Sequence, residues 1–514
     1  MMESKKYRKT PEGTAVIAAF VYGIFTHLFA LNNILHNYDN IASQPGGYGG
    51  GISLGRWLLE YVGQFVDKLG LNYNLSVING VLYIGLIAIT AGFLVSLLKI
   101  RSRKFAALIG MLFVAFPTAT ATLVYRYTAV FYGVGVLLAV LAVWVLTRFK
   151  YGFLLSALFI AASLGLYQAY VPLTIGLFVL LLIQQALEGE TDAWKLVYHG
   201  LYDCAVLILG LLFYFVGLKI SEAYFGATLT EYQGVGSMGN LALQDIPGLV
   251  IQAFLGVCSL GLRDYCGVAN RAMMRIAYLM LGIASTAMIL YILAVKVKKV
   301  GVAVITCLLC LVFPVAVNFI VIMCPDGWVY TLMVYAFALI ACLPLVLFEC
   351  MPDLAKEQMK RGRRILAKSI GLLTALLVLY YAYYANVNYT TLYYANRQIE
   401  NYLNSIVVQV RMTEGFTSET EWAFIGEVDD PLFASPWEEE AIYGGSGYTE
   451  YLLNQYSRPN WIQNYIGYTV PMASDETVAR LMEMDEVKEM PCMPDAGSIK
   501  VIENTVVIKF QDVY

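Results

Sequence analysis

Asp39 is the side chain in this sequence best placed to do chemistry. It follows the first long apolar run by only a few residues, which puts a carboxylate at a membrane interface. There it can take a proton from an attacking hydroxyl, or orient that hydroxyl, as a C–O bond to phosphate breaks. The glycine-rich stretch behind it (GGYGGG, 46–51) gives the loop freedom to close on a substrate. Position alone favours a solvated loop aspartate that caps a helix. Three arginines suit a lipid phosphate through paired, charge-assisted hydrogen bonds: Arg56 in SLGRW (53–57), Arg126 between Tyr125 and Tyr127 at a very short loop, and Arg263 further on. The plain alternative is headgroup contact or a snorkelling helix-end arginine, and it weighs most for Arg263. Tyr167, Gln168 and Tyr170 form a polar notch between two apolar runs. A glutamine there needs partners and often marks a cavity. It could bind sugar hydroxyls, with Tyr167 and Tyr170 stacking and Trp57 as a further aromatic surface. Glu222 and Asp264 are second-choice acidic groups, although Glu222 and Lys219 are near enough in sequence to pair with each other.

These residues need a membrane scaffold. Of 514 residues, 59% are hydrophobic and 14% charged, where a soluble chain carries about a quarter charged. The apolar residues form continuous runs of about 20, the length of a transmembrane helix. The expected helices are 14–34, 75–98, 105–122, 128–147, 151–166, 170–187, 200–220, 273–294, 300–323, 328–349 and 369–387. The split of 151–187 at Tyr167-Gln168 is the least constrained of these. Basic segments at 5–9, 99–104 (KIRSRK), 148–150, 296–299 and 356–368 fall on one side under a single alternating count. The positive-inside rule makes that side cytoplasmic, with outer loops at 35–73 and 221–272. Within the first loop, Leu54, Trp57, Leu58, Tyr61, Val62, Phe65 and Leu69 share one face at helical spacing, as in a helix lying along the membrane surface. A second interfacial helix is expected near 249–260.

The fold class expected is therefore an α-helical polytopic membrane part (1–387) followed by a small extracytoplasmic α+β domain (388–514). Charge divides the same way: residues 397–514 hold 20 Asp and Glu against 7 Lys and Arg, and the rest holds 17 against 27. Helix eleven is expected to continue through Arg397 and Tyr402. A strand is expected at 422–428 and helices at 448–456 and 477–484. Strands 499–502 and 506–510 should form a hairpin about Glu503-Asn504-Thr505. The run Glu438-Glu439-Glu440 reads as a solvated face. Cys307 and Cys310 have CxxC spacing inside an apolar run and read as packing residues; Cys258, Cys266, Cys324 and Cys492 leave room for one disulfide. His27 and Asn318 are expected to make interhelical hydrogen bonds. No basic patch on the soluble part supports nucleic-acid binding. The chain lacks HExxH, a phosphate-cradling glycine loop and GxSxG.

Asp39 with SLGRW after the first helix, the Tyr167-Gln168 pair, and the tail MPDAGSIKVIENTVVIKF (493–510) together resemble the bacterial type II glucosyltransferase family, related to phage serotype-converting glucosyltransferases. The resemblance runs over nearly the whole chain. It implies a membrane glycosyltransferase of the GT-C type in the bacterial plasma membrane. Such an enzyme moves a sugar, glucose by the family, from a polyprenyl-phosphate donor to a cell-envelope glycan outside the cytoplasm. It also implies that the catalytic acid lies in the first outer loop, here Asp39. Relatives in the wider class carry two adjacent acidic residues there. This chain has Asp39-Asn40, so no metal ligands are assigned and a divalent cation is left open. The competing classes are a lipid-linked glycan flippase or transporter, which would show a cavity open to both sides with His27 or Asn318 at its centre, and a non-enzymatic envelope assembly scaffold.

Overall fold

The computed structural model describes residues 10–44, 46–189, 191–230, 242–325, 327–352, 357–428 and 452–513. The basic segment 5–9, Lys356, Glu438-Glu439-Glu440 and residues 448–451 of an expected helix lie outside them. The chain divides into two compact units, one of residues 1–31 and 48–385, the other of residues 32–47 and 386–514.

The first unit is helical. Among the described residues nine helices are long and apolar enough to cross a membrane, and three shorter apolar helices accompany them, Gly152–Leu166, Ile246–Gly261 and Tyr335–Cys350. This is a multi-pass membrane protein. Two of the eleven expected spans, 151–166 and 328–349, correspond to shorter helices, and the third short helix covers the expected helical stretch near 249–260. Burial separates inner from outer helices. In Arg103–Val124 and Gln168–Glu188, 83% of the apolar window is buried, against 28% in Val300–Val317. Outward apolar residues such as Phe25, Ile283 and Leu308 are more than half exposed, a surface suited to lipid.

Helix breaks follow from local chemistry. Pro117 cannot continue the ladder of Arg103–Ala115, so the expected helix 105–122 restarts as Pro117–Val124 after an extended Phe116. Pro172 likewise opens Val171–Glu188, behind an extended Tyr167 and a 3₁₀ turn at Gln168–Tyr170. The expected split therefore occurs at that pair. The run 300–323 ends as a helix at Val317. Asn318 then turns, and its amide donates to the Ala253 carbonyl (3.0 Å) and the Tyr265 hydroxyl (3.2 Å). His27 makes the expected interhelical bond, to the Val114 carbonyl at 2.8 Å. The expected helix 328–349 begins late, at Ala338–Cys350 after two 3₁₀ turns. Thr331 there is tied sideways, its hydroxyl donating to Cys266 O (2.8 Å) and its carbonyl accepting from Thr118 Oγ1 (2.6 Å). Helix 200–220 is longer than expected, Ala193–Phe225, and stops at a left-handed Gly226. All nine cysteines are free thiols.

The last of the long apolar helices, Glu357–Met412, runs uninterrupted through Arg397 and Tyr402 as expected. In the second unit, β1 (Glu421–Ile425), β2 (Ile499–Ile502) and β3 (Thr505–Lys509) form a sheet of order β1-β3-β2. β1 runs parallel to β3, pairing Trp422 with Val506, and β2 antiparallel to it, pairing Val501 with Val506. The hairpin turn is Glu503-Asn504, both at positive φ (49° and 63°), the backbone twist that two-residue hairpins favour. Helix Asp475–Glu483, N-capped by Ser474, and the segment after it cover the sheet, with Leu481, then Val487 and Met490, against Ala423, Ile425 and Val507. Two buried cations complete this unit. The Arg458 guanidinium lies over Phe510 (4.9 Å) and Phe424 (5.4 Å) and donates to Gly426 O and Glu427 Oε2, both at 3.0 Å. Lys509 Nζ donates to the carbonyls of Val487, Lys488 and Met490 at 2.7–3.0 Å and pairs with Asp512.

Candidate active site

In the membrane unit the structure gathers Arg56, Trp57, Tyr167, Gln168 and Tyr170. Ile52–Leu54 forms one 3₁₀ turn that closes on Gly55 at φ 72°. Gly55 has no room for a side chain: a Cβ there would stand 2.5 Å from Gln168 Nε2 and 2.7 Å from the Tyr214 hydroxyl. Those two groups hold the turn. Gln168 Nε2 donates to Leu54 O at 2.7 Å, and the Tyr214 hydroxyl donates to Gly55 O at 3.0 Å. The amide nitrogen of Gln168 is thus committed to protein backbone.

The turn aims Arg56 at a stack of aromatic rings. Tyr132 and Tyr167 lie parallel, 4.5 Å apart, and Tyr170 packs edge-on to Tyr167 at 5.2 Å. The guanidinium sits 4.9 Å from the Tyr167 centroid and 5.9 Å from Tyr132, with Tyr127 and Tyr330 also close. A cation on ring faces keeps its edge N–H groups available. Among the described residues, Arg56 Nε, Trp57 Nε1 and the Tyr167 hydroxyl are buried donors with no hydrogen-bond partner. Trp57 opens helix Trp57–Lys68 and lays its indole where Gly165 and Gly217 have no side chains; a Cβ at either would come within 2.9 Å of it. Within that helix Leu59 and Gly63 are buried while Phe65 and Leu69 are more than half exposed, so part of the expected apolar face looks outward.

The glycine-rich stretch is fixed by a residue the sequence reading passed over. Glu60 Oε1 accepts from the Tyr48 hydroxyl (2.8 Å) and from Gln64 Nε2 (2.9 Å), and the Tyr48 ring lies on Gly63. Burial and the Glu60 bond raise the Tyr48 phenol above its ordinary range. Gly49, at φ 94°, lies against Tyr127 and Thr128. Arg126 beside them is buried, donates to Ser76 Oγ at 2.7 Å, and its carbonyl accepts from Asn79. Of the remaining candidates, Glu222 lies near enough to Tyr214 for its charge to be felt there. Arg263 is exposed. Asp264 caps its own turn, accepting from Gly267 N (3.1 Å) and Ala269 N (2.8 Å). Glu222 pairs with Lys219 at 2.6 Å.

Asp39 belongs to the second unit. It lies half-buried on the helix Tyr38–Ala42, whose N-cap Asn37 accepts from Asn40 N at 2.6 Å. Asn40 donates back to Leu35 O at 2.7 Å. This helix packs on residues 457–466 of the same unit, and Tyr456 lies near enough that burial, and then the Asp39 charge, raise its phenol. Tyr132, Tyr214, Tyr330 and Glu60 carried no signal in the sequence. The tyrosines sit in apolar or loop contexts, and only tertiary approach reveals their partners. Among the described residues no three or more His, Cys, Asp or Glu side chains gather as a metal-binding group.

Comparison with curated proteins and with solved structures gave no match. The family described as Glucosyl transferase GtrII matches residues 28–341, more than half of the chain and the stretch that holds Asp39, the Arg56 turn and the tyrosine stack, and this protein belongs to that family.

Proposed function

We propose that this chain moves glucose from a polyprenyl-phosphate donor to an envelope glycan at the extracytoplasmic face of a bacterial plasma membrane, on a GT-C type scaffold. Family membership supports the glucosyl transfer. The basic segments 99–104, 148–150 and 296–299, on one side of an alternating count, support the orientation. The observation that carries the donor reading is Arg56, a cation lying on stacked tyrosines with a buried Nε–H that meets no protein acceptor among the described residues. A phosphate oxygen fits that edge, and the neighbouring Tyr167 and Trp57 donors fit a sugar or further phosphate oxygens. Arg126 is a second phosphate ligand in this reading.

The reaction is an in-line displacement. The acceptor oxygen forms a bond to the anomeric carbon as the bond from that carbon to the phosphate oxygen breaks. The departing polyprenyl phosphate keeps the electron pair, and Asp39 takes the acceptor proton. Inversion at the anomeric carbon follows. The test uses the purified full-length chain in lipid nanodiscs, polyprenyl phosphate carrying radiolabelled glucose, and the envelope glycan fraction as acceptor. Asp39→Asn should lower kcat by about 100-fold or more. Full transfer by that variant would remove the general base.

A further inference from the structure

The family match ends at residue 341, yet the segment that carries Asp39 folds with residues 386–514. A five-residue helix is too short to hold its own shape, and here side chains hold it from both ends. Asn396 makes a reciprocal clasp with the backbone just before the helix: its Oδ1 accepts from His36 N and its Nδ2 donates to His36 O, both at 2.8 Å. This is the pattern of a strand partner, supplied by one amide on the long helix Glu357–Met412. At the other end Asn464 Nδ2 donates to Ile41 O at 3.0 Å. Between them the His36 ring stands edge-on to Tyr465 (4.9 Å) and Trp461 (5.5 Å). His36, Asn37, Asn40 and Asn396 are all buried, so these bonds face little competition from water.

We infer that the C-terminal unit is part of the catalytic apparatus, with Asn396 and Asn464 as positioning residues that fix where the Asp39 carboxylate stands. The inference rests on Asp39 acting as the base. Proton transfer needs donor and acceptor placed to within about 0.5 Å, and a helix this short, with only its own cap and one turn of bonds, gains fixity from the outside bonds. In this inference the asparagines act on the base alone, so their loss should be felt in turnover.

The test measures kcat and donor KM with the same labelled polyprenyl-phosphate glucose, nanodiscs and glycan fraction. Asn396→Leu and Asn464→Ala should each lower kcat by about 10- to 100-fold with donor KM within twofold of wild type. Added to Asp39→Asn, neither should lower the residual rate further. Should Asn396→Leu fail to fold, Asn464→Ala, which frees a single carbonyl, carries the test, with its thermal transition measured alongside. Wild-type kcat in a folded Asn464→Ala protein, or a loss that multiplies with that of Asp39→Asn, overturns the positioning role. Full activity of Asp39→Asn instead overturns the base reading, whatever the asparagine variants do.

Discussion

The turn that carries Arg56 and the short helix that carries Asp39 lie in one stretch of sequence between the first two long helices, but they are held in different ways. The Arg56 turn depends on one amide and one phenol, Gln168 and Tyr214, each reaching in from a long apolar helix. The Asp39 helix depends on asparagines, with a two-bond clasp at one end and a single bond at the other. Both segments lack the regular ladder that would satisfy their backbone groups, so side chains act as substitutes. The difference lies in what remains open. Around Arg56 several buried donors meet no acceptor among the described residues, which suits a site that receives an anion. Around Asp39 the backbone is clamped and the carboxylate half-buried, which suits a group that must stand still and exchange a proton.

If that contrast is functional, the Arg56 region governs donor affinity and the Asp39 region governs turnover. The sharpest break would come from Arg56→Gln. It should raise donor KM by about 100-fold, roughly 2.7 kcal/mol, as expected for deleting one member of a desolvated charge contact. A loss confined to kcat would erase the distinction. Gly55→Ala comes next. The left-handed backbone and the approach to Gln168 and Tyr214 should displace Arg56 and cost about 1–2 kcal/mol, visible as roughly a tenfold rise in KM. Tyr214→Phe is the mildest. It leaves the Gly55 carbonyl short of a donor, at about 1 kcal/mol, so KM should rise several-fold with kcat steady.

Much of the scaffold was legible in the sequence because long apolar runs and prolines act locally. The break at Tyr167-Gln168, the helix through Arg397 and Tyr402 and the hairpin at Glu503-Asn504 all follow from neighbours in the chain. Helix ends were less legible. Ala193–Phe225 extends past its apolar centre, and the start of Ala338–Cys350 is delayed by Thr331, whose partners Cys266 and Thr118 are remote in sequence. The same limit applies to the site. Arg56, Tyr167 and Gln168 drew notice as polar groups beside apolar runs. Tyr214 and Asn396 did not, since a tyrosine in an apolar helix and an asparagine in a polar one are unremarkable until their distant partners are known. Gln168 shows the reverse case: the residue was conspicuous, while the partner of its amide, the Leu54 carbonyl, could be found only in three dimensions.

Lys509 gives the C-terminal unit a property of its own. Three carbonyls converging on one point is how proteins commonly coordinate a hard metal cation, and here the chain fills that point with its own amine. The unit thus carries a tethered cation, bound by its own backbone, that dilution and chelators cannot remove.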